Sequence, residues 1–331
     1  MTPDRTPVKL ILDTDPGGDD IFALFWIQSL VKQGFADLVA VTTAEGNVPA
    51  EYTFNAACQI LDLGDLENVP VGRGVDVPFK QFSDASHIHG PDGMGNLSRT
   101  LPEIGQSFAD APFSDELLIE KLEEQPGAIT IVAIAPLNNL AAAEAKKPGI
   151  LTLAREIIIM GGAFQIQGNV TPCAEFNIAF NPQAAERVFD SRNDLVIFPL
   201  DVTRQLVFTR NIMEQIVQVN PQGQLTQFMK ELAEFLTQSS LQYRETKGEY
   251  GFLVHDALTL AYLFYPETLR FSRARVSIET KGEFTKGQTL IDWRHSPKET
   301  ANAWVAVDVD VPGFFTCLLE DLKTLVGITI D

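Results

Sequence analysis

The sequence predicts an α/β protein: an open, mostly parallel, Rossmann-like central sheet flanked by helices, with a small antiparallel addition, forming a single domain over residues 1–331. Three observations predict it. Strand-like and helix-like patterns alternate from Val8 to Leu200, and such alternation places parallel strands beneath helices on both faces. The strand segments are strongly apolar runs, as in Ala128 to Ala135 and Glu156 to Met160, which suits strands covered on both sides. Polar motifs recur at the turn after a strand, where open α/β sheets bind ligands.

Taken in order, the first apolar strand runs from Val8 into Asp13-Thr14-Asp15-Pro16-Gly17-Gly18-Asp19-Asp20, after which Ile21, Phe22, Leu24, Phe25 and Ile27 follow helical spacing. Asp37 to Thr43 is a second strand, ending at Asn47; Pro49 starts a helix to about Leu63. Val69 to Gly72 is a short strand. Residues 73–113 read as a long connection containing His87-Ile88-His89-Gly90-Pro91-Asp92-Gly93-Met94-Gly95-Asn96, and connections of such length are usually functional or mobile. Ser114 caps a helix to about Gln125. The strand Ala128 to Ala135 ends in Pro136-Leu137-Asn138-Asn139, and Glu156 to Met160 leads through Gly161-Gly162 to the polar segment 168–177. Asn181-Pro182 caps a helix to about Ser191, and Asp194 to Leu200 is the last strand of the series. Residues 209–247 are mainly helical with a break at Asn220-Pro221; His255-Asp256 opens a further helix; strand-like pieces at 274–280, 288–292 and 303–309 precede a final helix at 312–326.

Composition narrows the function. A formal charge of −19, from 44 acids and 25 bases, argues against nucleic acid and anionic membranes as partners. The cysteines Cys58, Cys173 and Cys317 are odd in number, widely spaced and without a CxxC, which disfavours a disulfide framework. The polar start, Met1 to Pro7, lacks a hydrophobic signal region, and no run is long enough to span a bilayer. A cytoplasmic protein is the expectation.

The chemistry concentrates in the first turn. Asp13, Asp15, Asp19 and Asp20 crowd around Pro16-Gly17-Gly18, and such acids repel one another unless something positive neutralises them. Oxygen-only donors favour a hard cation, Ca²⁺ or Mg²⁺; the plainer alternative is an acidic surface turn capping a helix. Because parallel strands point their C-terminal ends to one edge, this turn, Asn47, Asn138-Asn139 and the 168–177 segment converge on one cleft, which His255-Asp256 must close. Asp13 reads as structural. Cys173, with no paired base, reads as a small buried filler. His89 is either solvated or faces a ligand, and Tyr243, Tyr250 and Phe252 are either core or a mobile lid.

The ordered set Asp13 to Asp20, Asn47, Pro136 to Asn139, Met160-Gly161-Gly162, Gly168 to Pro172, Glu175-Phe176-Asn177 and His255-Asp256 resembles the inosine-uridine preferring nucleoside hydrolases across nearly the whole chain. The resemblance implies a Ca²⁺ ion held by Asp15, Asp20, the backbone carbonyl of Asn138, and Asp256, with water and the ribose 2′- and 3′-hydroxyls completing the shell. It implies that Asp15 deprotonates the attacking water and that His255 assists departure of the nucleobase. It further implies that Asp19, Asn47, Asn169, Glu175 and Asn177 engage the sugar hydroxyls, with Met160 beneath the sugar and Phe176 and Asp256 also binding the substrate. His89 would face the base. The ribonucleoside is then a small-molecule substrate, and homodimers or homotetramers are the expected assemblies. Departures are Asn138 where threonine is common, Gly18 where an apolar residue is usual, and no tryptophan in the base-facing loop, which speaks against a purine-only enzyme. Two alternatives stay open: a haloacid-dehalogenase-type Mg²⁺ phosphatase, suggested by Asp13-Thr14-Asp15, and a catalytically silent nucleoside- or ribose-binding protein.

Overall fold

The computed structural model describes residues 6–77, 82–294 and 299–327; Met1 to Arg5 of the polar start and residues 78–81 of the long connection lie outside them. The chain begins with β1 (Val8–Thr14), α1 (Asp19–Lys32), β2 (Ala36–Thr43), α2 (Ala50–Leu63) and β3 (Val71–Gly72). The long connection holds a single turn of helix, α3 (Ser86–His89). Then follow α4 (Ser114–Glu124), β4 (Thr130–Ala133), α5 (Asn138–Lys146), β5 (Glu156–Met160), α6 (Phe176–Phe180), α7 (Pro182–Ser191), β6 (Leu195–Phe198) and α8 (Leu200–Thr203). The last third contributes β7 (Val207–Thr209), α9 (Arg210–Val217), α10 (Gln224–Tyr243), β8 (Gly251–Leu253), α11 (Leu258–Phe264), β9 (Leu269–Ile278), β10 (Thr289–Asp292), β11 (Ala303–Val309) and α12 (Val311–Gly327).

Nine strands form one sheet in the order β10-β9-β11-β6-β5-β4-β1-β2-β3. From β3 across to β11 the pairings are parallel. The antiparallel additions are two: β9 joins β11 and β10 joins β9 on one edge of the same sheet, and β7 pairs with β8 in a separate two-stranded sheet. The chain steps outward from β1 to β3 and then returns to β4 on the other side of β1. That reversal splays the loops after β1 and β4 apart and leaves a crevice at their C-terminal ends.

The apolar strand runs have the predicted consequence. Strands β4 and β6 are buried throughout, and two large apolar clusters cover the sheet, one centred on α1, α2, α10 and α12 and the other on α4, α5 and α7. Helix α1 is buried from Asp20 to Leu30 because α12 packs over it. Its polar atoms therefore need internal partners. Trp26 Nε1 donates to Asp321 Oδ2 at 2.6 Å, Ser29 Oγ to the Asp321 carbonyl at 2.5 Å, and Gln28 Nε2 to the Ile60 carbonyl at 2.7 Å. Tyr265 adds a hydroxyl to the same Asp321 oxygen at 2.6 Å. This rigid helix carries the acidic turn at its N-terminus.

Several local readings change. Ser114 is the first residue of α4 rather than its cap; its hydroxyl donates to the Thr43 carbonyl at 2.9 Å and holds the helix to the end of β2. His255 and Asp256 precede α11 in the turn after β8, so they too occupy a strand-end position. The antiparallel β7–β8 pair, whose strands are joined through α9 and α10, and α8 are additions that their three- and four-residue lengths hid.

Candidate active site

The crevice is a cleft of about 380 Å³. Asp15, Asp19, Asp20, Asn47, His89, Met160, Asn169, Glu175, Phe176, Asn177, His255 and Asp256 all line it. Asn138 does not; at the start of α5 its side-chain oxygen accepts from Asn181 Nδ2 at 2.7 Å.

The acidic turn is sewn to its surroundings. Asp13 Oδ1 accepts from Thr42 Oγ1 and Asn139 Nδ2, both at 2.7 Å, tying β1 to β2 and α5, and Asp13 does not line the cleft. Asp20 Oδ1 accepts from Thr14 Oγ1 at 2.6 Å, and its Oδ2 from Asn47 Nδ2 at 2.9 Å. The Asn47 backbone N–H donates to Asp15 Oδ2 at 2.7 Å. Asp19 Oδ2 accepts the backbone N–H groups of His255 at 2.7 Å and Asp256 at 3.2 Å. One asparagine and one aspartate thus lock the turn to β2 and to the 255–256 corner.

Electrostatically this arrangement is incomplete. Burial pushes Asp13 and Asp20 up to about 7 and Asp19 up to about 6. Burial and then the charge of Asp20 raise Asp15 well above the usual carboxylate range; burial and then Asp19 do the same to Asp256. Among the described residues no lysine or arginine ion-pairs with any of these acids. Carboxylate oxygens of Asp19, Asp20 and Asp256 lie within 4.8 Å of one another. The tight cluster therefore includes Asp19, with Asp15 beside it and electrostatically coupled to Asp20 and Asp256. A hard divalent cation fits this donor set: it supplies the missing charge and takes oxygen ligands only.

The opposite wall comes from β5 and α6. Glu175 is the N-cap of α6, its carboxylate accepting from Gly162 and Asn177 N–H at 2.9 Å and from Ile178 N–H at 3.3 Å. Asn177 Nδ2 donates to the Ile134 carbonyl at 2.9 Å and the Met160 carbonyl at 3.2 Å. Asn169 Oδ1 accepts from Phe176 N–H at 2.9 Å. Among the described residues no hydrogen bond claims Asn177 Oδ1 or Asn169 Nδ2, which leaves one acceptor and one donor at fixed positions for a ligand.

At the other end of the cleft stand three histidines. His255 Nδ1 lies 2.7 Å from Thr203 Oγ1, so its Nε2 is the nitrogen left for the cleft. Burial, then the neighbouring Arg204 and His89, lower His255 to about 3, so the ring is neutral at pH 7 and offers a hydrogen bond. Burial, then His87, lower His89 to about 4. Of the three aromatics considered, only Phe252 lines the cleft, packed at 5.0 Å from Phe22 and 5.1 Å from Phe208. Tyr243 and Tyr250 are exposed, bonded to the His87 carbonyl and to Glu234. Cys173 is half-buried rather than a buried filler, its thiol directed to the Phe284 carbonyl at 3.2 Å. Sequence reading missed Thr203, His87, Ile88, Leu236 and Glu245. Thr203 had a signal, since Pro199 to Thr203 is another strand-to-helix turn.

The comparisons decide between the readings. Residues 10–316 match the family model of inosine-uridine preferring nucleoside hydrolases. The chain belongs to that family. It is 36% identical over 319 residues to the pyrimidine-specific ribonucleoside hydrolase RihA of Shewanella woodyi, covering 95% of this chain and 98% of that protein. It is 32% identical over 323 residues to the inosine-uridine preferring nucleoside hydrolase of Leishmania major, covering 97% and 99%. The solved purine-preferring ribonucleoside hydrolase of Gardnerella vaginalis superposes with a TM-score of 0.87 at 27% identity, covering 97% and 100%. Nucleoside hydrolases described as pyrimidine-specific and as purine-preferring are thus both similar over the full length. The phosphatase alternative falls away.

Proposed function

We propose that this nucleoside hydrolase cleaves the N-glycosidic bond of ribonucleosides, releasing free nucleobase and ribose, in a Ca²⁺-dependent reaction. The observation that carries the reading is the convergence of buried, unneutralised Asp15, Asp19, Asp20 and Asp256 in one cleft with the neutral rings of His89 and His255. Asp15, Asp20, Asp256 and the Asn138 carbonyl are the ligands we assign to the ion, with Asp19 beside them accepting from a ribose hydroxyl. When bound, Ca²⁺ supplies positive charge that anchors sugar hydroxyls and acidifies a water.

The residues do the rest. Asp15, one oxygen fixed by Asn47, accepts the proton of the attacking water at its other oxygen. Bond cleavage builds positive charge on the ribosyl ring, and a water-poor, carboxylate-lined cleft stabilises that charge more than the neutral substrate. Asn169 and Asn177 present polar atoms to the sugar over Met160, while Glu175 holds Asn177 by its backbone N–H and Asn47 braces Asp15 and Asp20. His255, braced by Thr203, donates a hydrogen bond from Nε2 to the departing base. The strong negative charge supports a protein that avoids nucleic acid and anionic membranes, and among the described residues no helix is long and apolar enough to cross a membrane. A cytoplasmic role in nucleoside catabolism and purine salvage, as a single-domain chain in homodimers or homotetramers, completes the reading.

The test is ribose release from inosine and uridine, with and without chelation and Ca²⁺ re-addition. Release that depends on Ca²⁺ is expected. Nucleoside binding without ribose release would establish the silent-binder alternative instead.

A further inference from the structure

We propose that Gly18 is a positioning residue for His89: the space left by its missing side chain is the seat of the His89 imidazole, which fixes the ring's orientation toward the departing base. The inference rests on the hydrolase reading above.

The seat is visible as a collision. A Cβ built on Gly18 would lie 2.8 Å from His89 Cε1, nearer still to Nδ1, and 3.4 Å from Leu236 Cδ2. The ring is therefore packed flush on the bare Cα of Gly18, with α10 closing the slot. Gly18 also has φ +69° and ψ −115°, a conformation that side-chain-bearing residues avoid. That conformation aims its N–H at the Gly93 carbonyl, 3.1 Å away. The acidic turn and the histidine loop are thus joined by one backbone hydrogen bond and one ring-on-glycine contact.

The loop has little freedom to take the ring elsewhere. Ala85 N–H donates to the Asn47 carbonyl at 2.9 Å, Gly95 N–H to the His89 carbonyl at 3.0 Å, and Ser239 Oγ to the Ile88 carbonyl at 2.7 Å. With the backbone held at these points, the side chain's orientation depends on the slot. His89 Nδ1 is fully buried there and has no hydrogen-bond partner among the described residues. Only Nε2 remains to meet a ligand. Burial keeps the ring neutral, so Nε2 carries the proton when Nδ1 holds the lone pair, and it donates to a carbonyl or ring nitrogen of the base.

Gly18→Ala would evict the ring but would also strain the turn carrying Asp19 and Asp20. A double-mutant cycle with His89→Ala separates these effects. The readout is kcat/KM for uridine divided by kcat/KM for p-nitrophenyl riboside, whose leaving group needs no hydrogen bond, with calcium content measured on each variant. We expect Gly18→Ala to lower this ratio about tenfold or more when His89 is present, a modest share of the roughly hundredfold or larger effect of such catalysis. In the His89→Ala background the same substitution should change the ratio less than about twofold, because the added methyl enters an empty slot. Equal change in both backgrounds, or equal loss on both substrates, would overturn the proposal in favour of a purely backbone role. If Gly18→Ala does not fold, the wild-type protein decides by ¹⁵N-resolved NMR of its imidazoles during uracil titration. A shift at His89 Nε2 with Nδ1 unmoved supports the seat, and a shift at Nδ1 overturns it. A wild-type protein that hydrolyses neither substrate would refute the hydrolase reading, a result separate from any outcome of the cycle.

Discussion

The two ends of the cleft are built by different means. At the end proposed to hold the sugar, Asp15, Asp20, Met160, Glu175 and Asn177 stand on strand ends or helix starts, and most of their polar atoms are already bonded to backbone. At the end proposed to meet the base, His87, Ile88 and His89 ride on a single helical turn, while Leu236, Ser239 and Ser240 come from α10. Those residues are held by contacts between segments distant in sequence, such as Ser239 to Ile88. A sheet edge gives fixed geometry because every neighbour is constrained by the ladder. Docked loops give geometry that a few substitutions can alter, which suits a part of the site that must distinguish one leaving group from another. The comparison predicts that sugar-end changes act on every substrate alike and base-end changes act selectively.

The largest expected effect is at the sugar end. Asp15→Ala removes the proposed base and a charge of the cation cluster together, so ribose release from uridine and p-nitrophenyl riboside should both fall at least a hundred- to ten-thousand-fold. A loss confined to uridine would break the comparison, because Asp15 would then belong to leaving-group chemistry. The sugar itself provides the next test. A cleft whose polar groups are placed for hydroxyls rejects an analogue lacking one by up to about ten-thousand-fold. Hydrolysis of 2′-deoxyuridine should therefore be far slower than that of uridine in side-by-side kcat/KM measurements, and comparable rates would show that the fixed amides do not read the sugar.

The same division explains what was legible in the sequence. The acidic turn announced itself because four carboxylates and two glycines after an apolar strand have few other uses, and the parallel order of the sheet followed from strand–helix alternation. Glu175 and Asn177 were expected at the site and line the cleft, but sequence gave no sign that the Glu175 carboxylate caps α6 through the N–H groups of Asn177 and Ile178 while also accepting from Gly162 N–H, since a five-residue helix has no periodicity to read. The lowered pKa of His255 had no sequence signal for a similar reason: it arises from burial and from Arg204 and His89, which are remote in the chain. Thr203 was passed over because a buried threonine in an apolar segment looks like core. His87 and Leu236 were invisible because nothing local says that the 85–96 loop docks on α10.

His255 sharpens the comparison from the other end. Removing its ring should cost uridine hydrolysis about a hundredfold, at the lower end for such catalysis since the ring donates a hydrogen bond rather than a full proton. Hydrolysis of p-nitrophenyl riboside should fall much less in the same His255→Ala protein. Calcium content must be measured alongside, because Asp256 adjoins. With calcium retained and both substrates reduced equally, the assignment of His255 to the leaving group would be lost.

The smallest expected effect is the most discriminating, because it changes the histidine without touching it. Thr203→Val keeps the shape of the side chain and deletes the hydroxyl that faces His255 Nδ1 at 2.7 Å. A neutral hydrogen bond of this kind contributes about 0.5–1.5 kcal/mol, equivalent to roughly a two- to tenfold change in rate. Its loss frees the ring to rotate and to exchange tautomers, so the Nε2 donor is aimed correctly for a smaller fraction of the time. Uridine turnover should fall by that two- to tenfold factor in kcat, with p-nitrophenyl riboside hydrolysis nearly unchanged. Thr203 is fully buried at the end of α8, and valine keeps its shape while losing one neutral hydrogen bond worth about 0.5–1.5 kcal/mol, so only a modest shift in the melting midpoint is expected. Equal losses on both substrates, or a large drop in midpoint, would mean that Thr203 supports the corner holding Asp256 rather than the orientation of the imidazole.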